Sequence, residues 1–156
     1  MWLLSKPLTR RAVVAAKFLG HAGGLLIAVV AIPWTVVYGL LGVAAGEPWA
    51  FDRTLATAGM LGLFVVFHLA LVLALSTLTT GRVAVLTIPL VFIVSADLIS
   101  AAIPAAFRFL PWSLGRLAGA HLAEGVVVTG WPILVAAAWT IALLGVAMAR
   151  LNRAEF

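Results

Sequence analysis

The sequence contains no cysteine and few charged residues, and each shortage excludes whole classes of protein. Without cysteine there is no disulfide framework, no thiolate metal site and no cysteine nucleophile. Charged residues make up 10% of the chain, whereas soluble domains carry roughly 25%. So few charges cannot cover a water-exposed surface on 156 residues, and the solvent that suits this composition is a lipid bilayer.

The chain contains long apolar runs, and these runs define its membrane crossings. Charged residues divide it into four stretches, and Asp97 is the only charge inside any of them. Each stretch exceeds the run of about 20 apolar residues that a membrane-spanning helix needs. Helix is required because unpaired backbone groups are too costly in lipid. We therefore predict an all-α polytopic membrane protein, a single transmembrane domain over residues 1–156, with spans near Gly20–Ala45, Leu55–Leu78, Val83–Ile103 and Trp131–Ala149.

The distribution of Lys and Arg predicts the orientation of these spans. With the N-terminus inside, three basic residues lie outside: Arg53, Arg108 and Arg116. Seven lie inside: Lys6, Arg10, Arg11, Lys17, Arg82, Arg150 and Arg153. Basic residues favour the cytoplasmic side, so we expect a multi-pass protein of the plasma (inner) membrane with both termini in the cytoplasm. Trp49, Trp112 and Trp131 are then expected at the outer interface, where indole rings are favoured.

Two segments outside the spans have an amphipathic character. Within the cytoplasmic segment 1–18, the stretch Leu8–Phe18 either forms a short surface helix or is a basic flank that only sets topology. Residues 104–130, between the third and fourth spans, are too long for a turn and too apolar for a solvated loop. We predict that they form an external segment that is re-entrant or lies at the interface.

His68 and Asp97 are the candidate polar pair inside the membrane. Ionisable side chains at such depth face the protein interior or water by default, which favours a substrate or proton pathway. The alternative is a structural hydrogen bond between the second and third spans, near Ser95 and Ser100. We favour the structural interpretation for Asp97.

Other functions find little support in the sequence. The three histidines are expected at different depths, so a haem anchor with two facing ligands is disfavoured. No catalytic residues, metal ligands or cofactor-binding residues can be assembled, and no nucleotide-binding G-x-x-x-x-G-K-[ST] loop occurs. The net charge of +5 does not indicate nucleic acid, because the basic residues cluster at the ends of the spans.

Several short motifs, in order, resemble the permeases of ABC-2-type transporters. The run from Leu3 to Arg11 (LLSKPLTRR) is similar to the segment that follows the coupling helix in that family. The stretch Leu73–Leu78 is similar to the end of the family's fourth helix. The pair Trp139-Thr140 and the closing RLNRAEF are similar to its final helix and tail. The long segment between the third and fourth spans is similar to its extracellular re-entrant element.

The resemblance implies a permease subunit, complete or partial, that forms the translocation path of an ABC transporter of the exporting kind. Such permeases usually have six helices, so this chain corresponds to the C-terminal part, from the end of the coupling helix through the last four spans. The resemblance also implies a separate ATPase subunit and a dimer, formed with a copy of the chain or a second permease chain. Its candidate ATPase contacts are Leu3, Leu4, Lys6, Arg10 and Arg11. The alternative function is a small membrane anchor or assembly subunit without transport activity.

Overall fold

The computed structural model describes residues 10–46, 50–79 and 81–153, with the backbone alone described at residues 10, 11, 13, 14 and 151–153. These ranges are helical and contain no strand. A π-helical segment, Leu26–Ala31, joins the first two α-helices. The α-helices are α1 (Arg10–Leu25), α2 (Ile32–Ala45), α3 (Phe51–Leu78), α4 (Arg82–Ala102), α5 (Pro104–Phe107), α6 (Ser113–Glu124) and α7 (Gly130–Arg153).

Four stretches of the described chain are long and apolar enough to cross a membrane. They are Ala15–Ala45, Phe51–Leu78, Arg82–Ala102 and Gly130–Arg150. The prediction of an all-α polytopic membrane protein with four transmembrane helices is therefore confirmed. Each stretch provides at least about 30 Å of helix, which matches the thickness of the hydrocarbon layer.

The first crossing is one continuous helix from Arg10 to Ala45 that widens in its middle. Pro33 has no N–H, and its ring would collide with the carbonyl of Val29 in a regular helix. The π-helical segment lies just before this proline, and the N–H of Ile32 bonds to the carbonyl of Ile27, five residues back. The described part of the predicted N-terminal amphipathic helix, from Arg10 onward, runs into this crossing without a break.

Helix α3 is the centre of the molecule, and α1, α4, α6 and α7 pack around it. Its buried positions are mostly small, including Gly62, Ala70 and Ala74. Ala136 and Ala147 are the buried counterparts on α7. Small side chains let membrane helices approach closely, so van der Waals contact replaces the hydrophobic effect that is absent in lipid.

Helices α5 and α6 form a hairpin that re-enters the helical bundle. Leu114 and Ala118 of α6 pack with Met60 of α3, and Phe107 and Trp112 pack with Phe67. Phe67 lies roughly 24 Å along α3 from Phe51, the first residue of that helix. The turn between α5 and α6 packs beside Phe67, so this turn lies deep within the bundle. The C-terminal end of α6 returns to the start of α3, where Gly125 lies against Arg53. The segment predicted as re-entrant or interfacial therefore packs into the bundle from the end at which α3 begins.

The remaining crossings keep large apolar surfaces uncovered. None of the residues of α2 is buried. On α4 only Pro89 and Ser100 are buried, and Leu98 is 78% exposed. These surfaces face lipid or another membrane-spanning chain.

Candidate functional site

An apolar cleft of about 490 Å³ lies between the first crossing, α3 and α4. Leu25 and Val29 form one wall, and the α4 side includes Leu86, Pro89 and Ile93. His68 on α3 is the only side chain with a polar group among its lining residues, which are otherwise aliphatic apart from Phe64. The cleft therefore suits an apolar molecule.

His68 is held in one orientation by its own helix and by aromatic rings. Its Nδ1 donates a hydrogen bond to the carbonyl oxygen of Phe64 at 2.8 Å. The rings of Phe64, Phe67 and Trp112 meet the imidazole edge to face, at centroid distances of 4.3, 4.9 and 6.1 Å. A carbonyl only accepts, so Nδ1 carries the hydrogen and Nε2 is the free acceptor. Nε2 is buried and has no hydrogen-bond partner among the described residues.

Trp112 links the hairpin to this site. Its ring stacks on Phe92 of α4 at 4.7 Å and meets Phe67 of α3 edge to face at 5.3 Å. Trp112 is only 9% exposed, so its ring packs inside the protein. The hairpin draws the indole inward, where aromatic packing replaces the interfacial environment. Its Nε1, like Nε2 of His68, is buried without a partner in the described chain, which leaves a donor and an acceptor on adjacent rings.

The structure does not join His68 to Asp97. Asp97 is exposed on α4, and no hydrogen bond or ion pair connects it to a described residue. The α4 residues beside His68 in the cleft are Leu86, Pro89, Leu90 and Ile93, so Asp97 lies about one turn farther along. Ser95 donates to the carbonyl of Val91 in its own helix. Ser100 is buried.

The candidate ATPase contacts lie at the start of the chain. Leu3, Leu4 and Lys6 are outside the described residues, and Arg10 and Arg11 form the first turn of α1. At the other end of the crossings, the Nδ1 of His121 donates to the carbonyl of Val126 at 2.7 Å, and Glu124 is exposed. The described residues contain no group of three His, Asp or Glu side chains placed to hold a metal ion.

Sequence inspection missed the cleft, because its lining residues look like ordinary lipid-facing residues. Pro89 is the one feature of the sequence that could have indicated the cleft. A proline within a transmembrane helix leaves a carbonyl unpaired and marks a position where the helix departs from regular packing. The partners of Trp112 could not have been found, because they depend on how deeply the hairpin enters.

Four apolar crossings, with a hairpin between the last two that packs into the bundle, define a polytopic membrane protein. A family model described as ABC-2 family transporter protein matches residues 1–156. The chain therefore belongs to the ABC-2 transporter family and is a membrane permease of an ABC transporter. None of the curated proteins and none of the solved structures compared with it matches the chain.

Proposed function

We propose that this chain is the permease subunit of an ABC exporter and carries an apolar or amphipathic molecule. The cleft beside His68 is the observation that supports this proposal. Its walls are apolar, and His68 is the only polar side chain among them. A cleft of this kind accommodates an apolar cargo.

The position of the cleft along the crossings favours export. On α4 its lining begins at Val85, one turn from the first residue of that helix, and ends at Ile93, near the middle. We place the start of α4 on the cytoplasmic side because Lys and Arg are concentrated at that end of the bundle. Cargo would then enter from the cytoplasmic half of the membrane, whereas the re-entrant hairpin enters the bundle from the opposite end.

The uncovered surface of α4 supports assembly with a second permease chain, which is either a copy of this chain or a different one. One side of the cleft is formed by α4, which also packs against the hairpin but leaves most of its surface exposed. A translocation path closed on all sides therefore needs another membrane-spanning chain. We assign ATP hydrolysis to a separate subunit docked on the cytoplasmic side, at the N-terminal segment that includes Arg10 and Arg11.

The proposal is tested by filling the cleft. Leu90→Trp places a large ring in it, and Leu40→Trp adds the same ring to the exposed surface of α2 as a matched control. We expect ATP-dependent movement of a fluorescent amphiphile in vesicles of the assembled transporter to be lost with Leu90→Trp and retained with Leu40→Trp. Equal transport by both variants would show that cargo does not pass through the cleft. Absence of ATP-dependent transport in the unmodified assembly would favour an anchoring or assembly role.

A further inference from the structure

Two arginines lie on the re-entrant hairpin without an acidic partner. The guanidinium of Arg116 lies over the ring of Phe107, 5.7 Å from its centroid. That of Arg108 lies over the neighbouring Phe109 ring at 5.0 Å. Both side chains are exposed, and neither forms an ion pair with a described residue. The two cations therefore belong to one region of the hairpin, around Phe107 and Phe109.

This region lies beside the crossings and not beyond their ends. Trp139 of α7 donates from Nε1 to the carbonyl oxygen of Phe109 at 3.3 Å. Trp139 is roughly 13 Å along α7 from the first residue of that helix, and the ring of Phe109 also meets that of Trp131, the second residue of α7. Phe109 therefore lies between the first turn and the middle of this crossing. The nearest acid on the hairpin, Glu124, is about 12 Å along α6 from Arg116. An exposed arginine at such a depth needs an anion or water next to it.

We propose that Arg108 and Arg116 bind the phosphate group of a phospholipid from the leaflet on the hairpin side of the membrane. Guanidinium groups suit this role because their planar N–H donors match phosphate oxygens in pairs. The surroundings suit a lipid better than a soluble phosphate ester. Ile103, Phe109 and Trp131 are about half exposed, and the last two rings meet edge to face at 5.7 Å. They provide an apolar surface for acyl chains beside the two cations.

This inference depends on the position of the hairpin in the membrane and not on the transport proposal. It is tested on the full chain, extracted with its bound partners from nanodiscs containing phosphatidylglycerol, with retained lipid measured by native mass spectrometry. The test variant is the double substitution Arg108→Gln and Arg116→Gln. The matched control is Arg82→Gln and Arg150→Gln, which removes two exposed cations from the opposite ends of the crossings.

We expect the test variant to retain about tenfold less phosphatidylglycerol, given the attraction of each arginine for anionic lipid, and the control to retain as much as the unmodified chain. Equal retention by the test variant and the unmodified chain would overturn the site. Equal loss in the control would show general attraction to anionic lipid. Glycerol phosphate that displaces the lipid at equal concentration would overturn the assignment to a phospholipid. If the glutamine variant does not fold, Arg108→Lys with Arg116→Lys keeps both charges and must retain more lipid than Arg108→Ala with Arg116→Lys.

Discussion

The guanidinium of Arg53, at the start of α3, lies directly over Gly125, the residue that ends α6. A Cβ atom added to Gly125 would lie 3.1 Å from a guanidinium nitrogen of Arg53. Gly125 has a φ of +71°, the left-handed conformation that commonly ends helices at glycine. A cation beside the C-terminal end of a helix is also electrostatically favourable. This contact fixes the returning end of the hairpin against α3.

Gly125→Ala is expected to destabilise the protein by more than the cost of placing alanine in the left-handed backbone conformation. Left-handed backbone costs about 1–2 kcal/mol for a residue with a Cβ. Arg53 must also shift by a few tenths of an ångström, which adds a smaller cost because its guanidinium ends a flexible side chain. Gly46→Ala is the matched control, because Gly46 also has a φ of +71° but has no described atom within 4 Å of its added Cβ. Thermal unfolding in detergent compares the two variants. A loss for Gly125→Ala no larger than that for Gly46→Ala would contradict the contact.

Gly62 is expected to be a packing position and Gly59 a replaceable one. Both lie inside α3, where alanine is favoured over glycine by about 1 kcal/mol. A Cβ on Gly62 would lie 3.3 Å from Cδ2 of Leu26, whereas one on Gly59 meets nothing within 4 Å in the described chain. Gly59→Ala should therefore raise the melting temperature, and Gly62→Ala should raise it less or lower it. If both raise it equally, the π-helical segment does not pack on Gly62 as described.

The sequence predicted the crossings because hydrophobic length is a local property. The interior of the hairpin is different. Trp112 carries the composition signal of an interfacial residue, and only the packing of Phe67 and Phe92 around it draws it inward. The sequence suggests a pair of His68 and Asp97 only because they lie on consecutive spans. That fact determines neither how deep each residue lies nor where its side chain points.

His68 is expected to matter for transport more than for folding. His68→Phe keeps a ring of similar shape among Phe64, Phe67 and Trp112 and removes the hydrogen bond to the Phe64 carbonyl. That carbonyl already belongs to a helix, and the change also removes a buried acceptor without a partner, so the net change in stability should stay within about 1 kcal/mol. Thermal unfolding and amphiphile transport are measured on the same preparation.

The control is Leu69→Ala, which shortens an apolar side chain of the cleft next to His68 and removes no polar group. We expect His68→Phe to reduce transport more than Leu69→Ala does. If the His68→Phe variant transports normally, the imidazole packs within the bundle without contacting cargo. If the His68→Phe variant unfolds, the hydrogen bond to Phe64 is structural.

Asp97 is expected to act only in the assembled transporter. It is exposed on α4 and has no hydrogen-bond or ionic partner in the described chain, so its partner must come from another subunit or from water. In the isolated chain, Asp97→Asn and Asp97→Leu should each change the melting temperature little, as surface changes generally do. In the assembly, Asp97→Leu should weaken subunit association by about 1 kcal/mol, the scale of a polar contact between membrane helices, while Asp97→Asn should largely preserve it.

The two variants therefore separate three roles for Asp97 when melting temperature, subunit association and transport are measured together. Asp97→Leu that destabilises the isolated chain would mean that the carboxylate has a partner within this chain, contrary to the structure. Asp97→Asn that assembles normally but does not transport would mean that the charge itself is needed, as for a cationic cargo, and would overturn a purely structural role. Loss of association with Asp97→Leu alone is the expected result, because an amide keeps the hydrogen-bonding capacity of the carboxylate at a subunit contact whereas leucine does not.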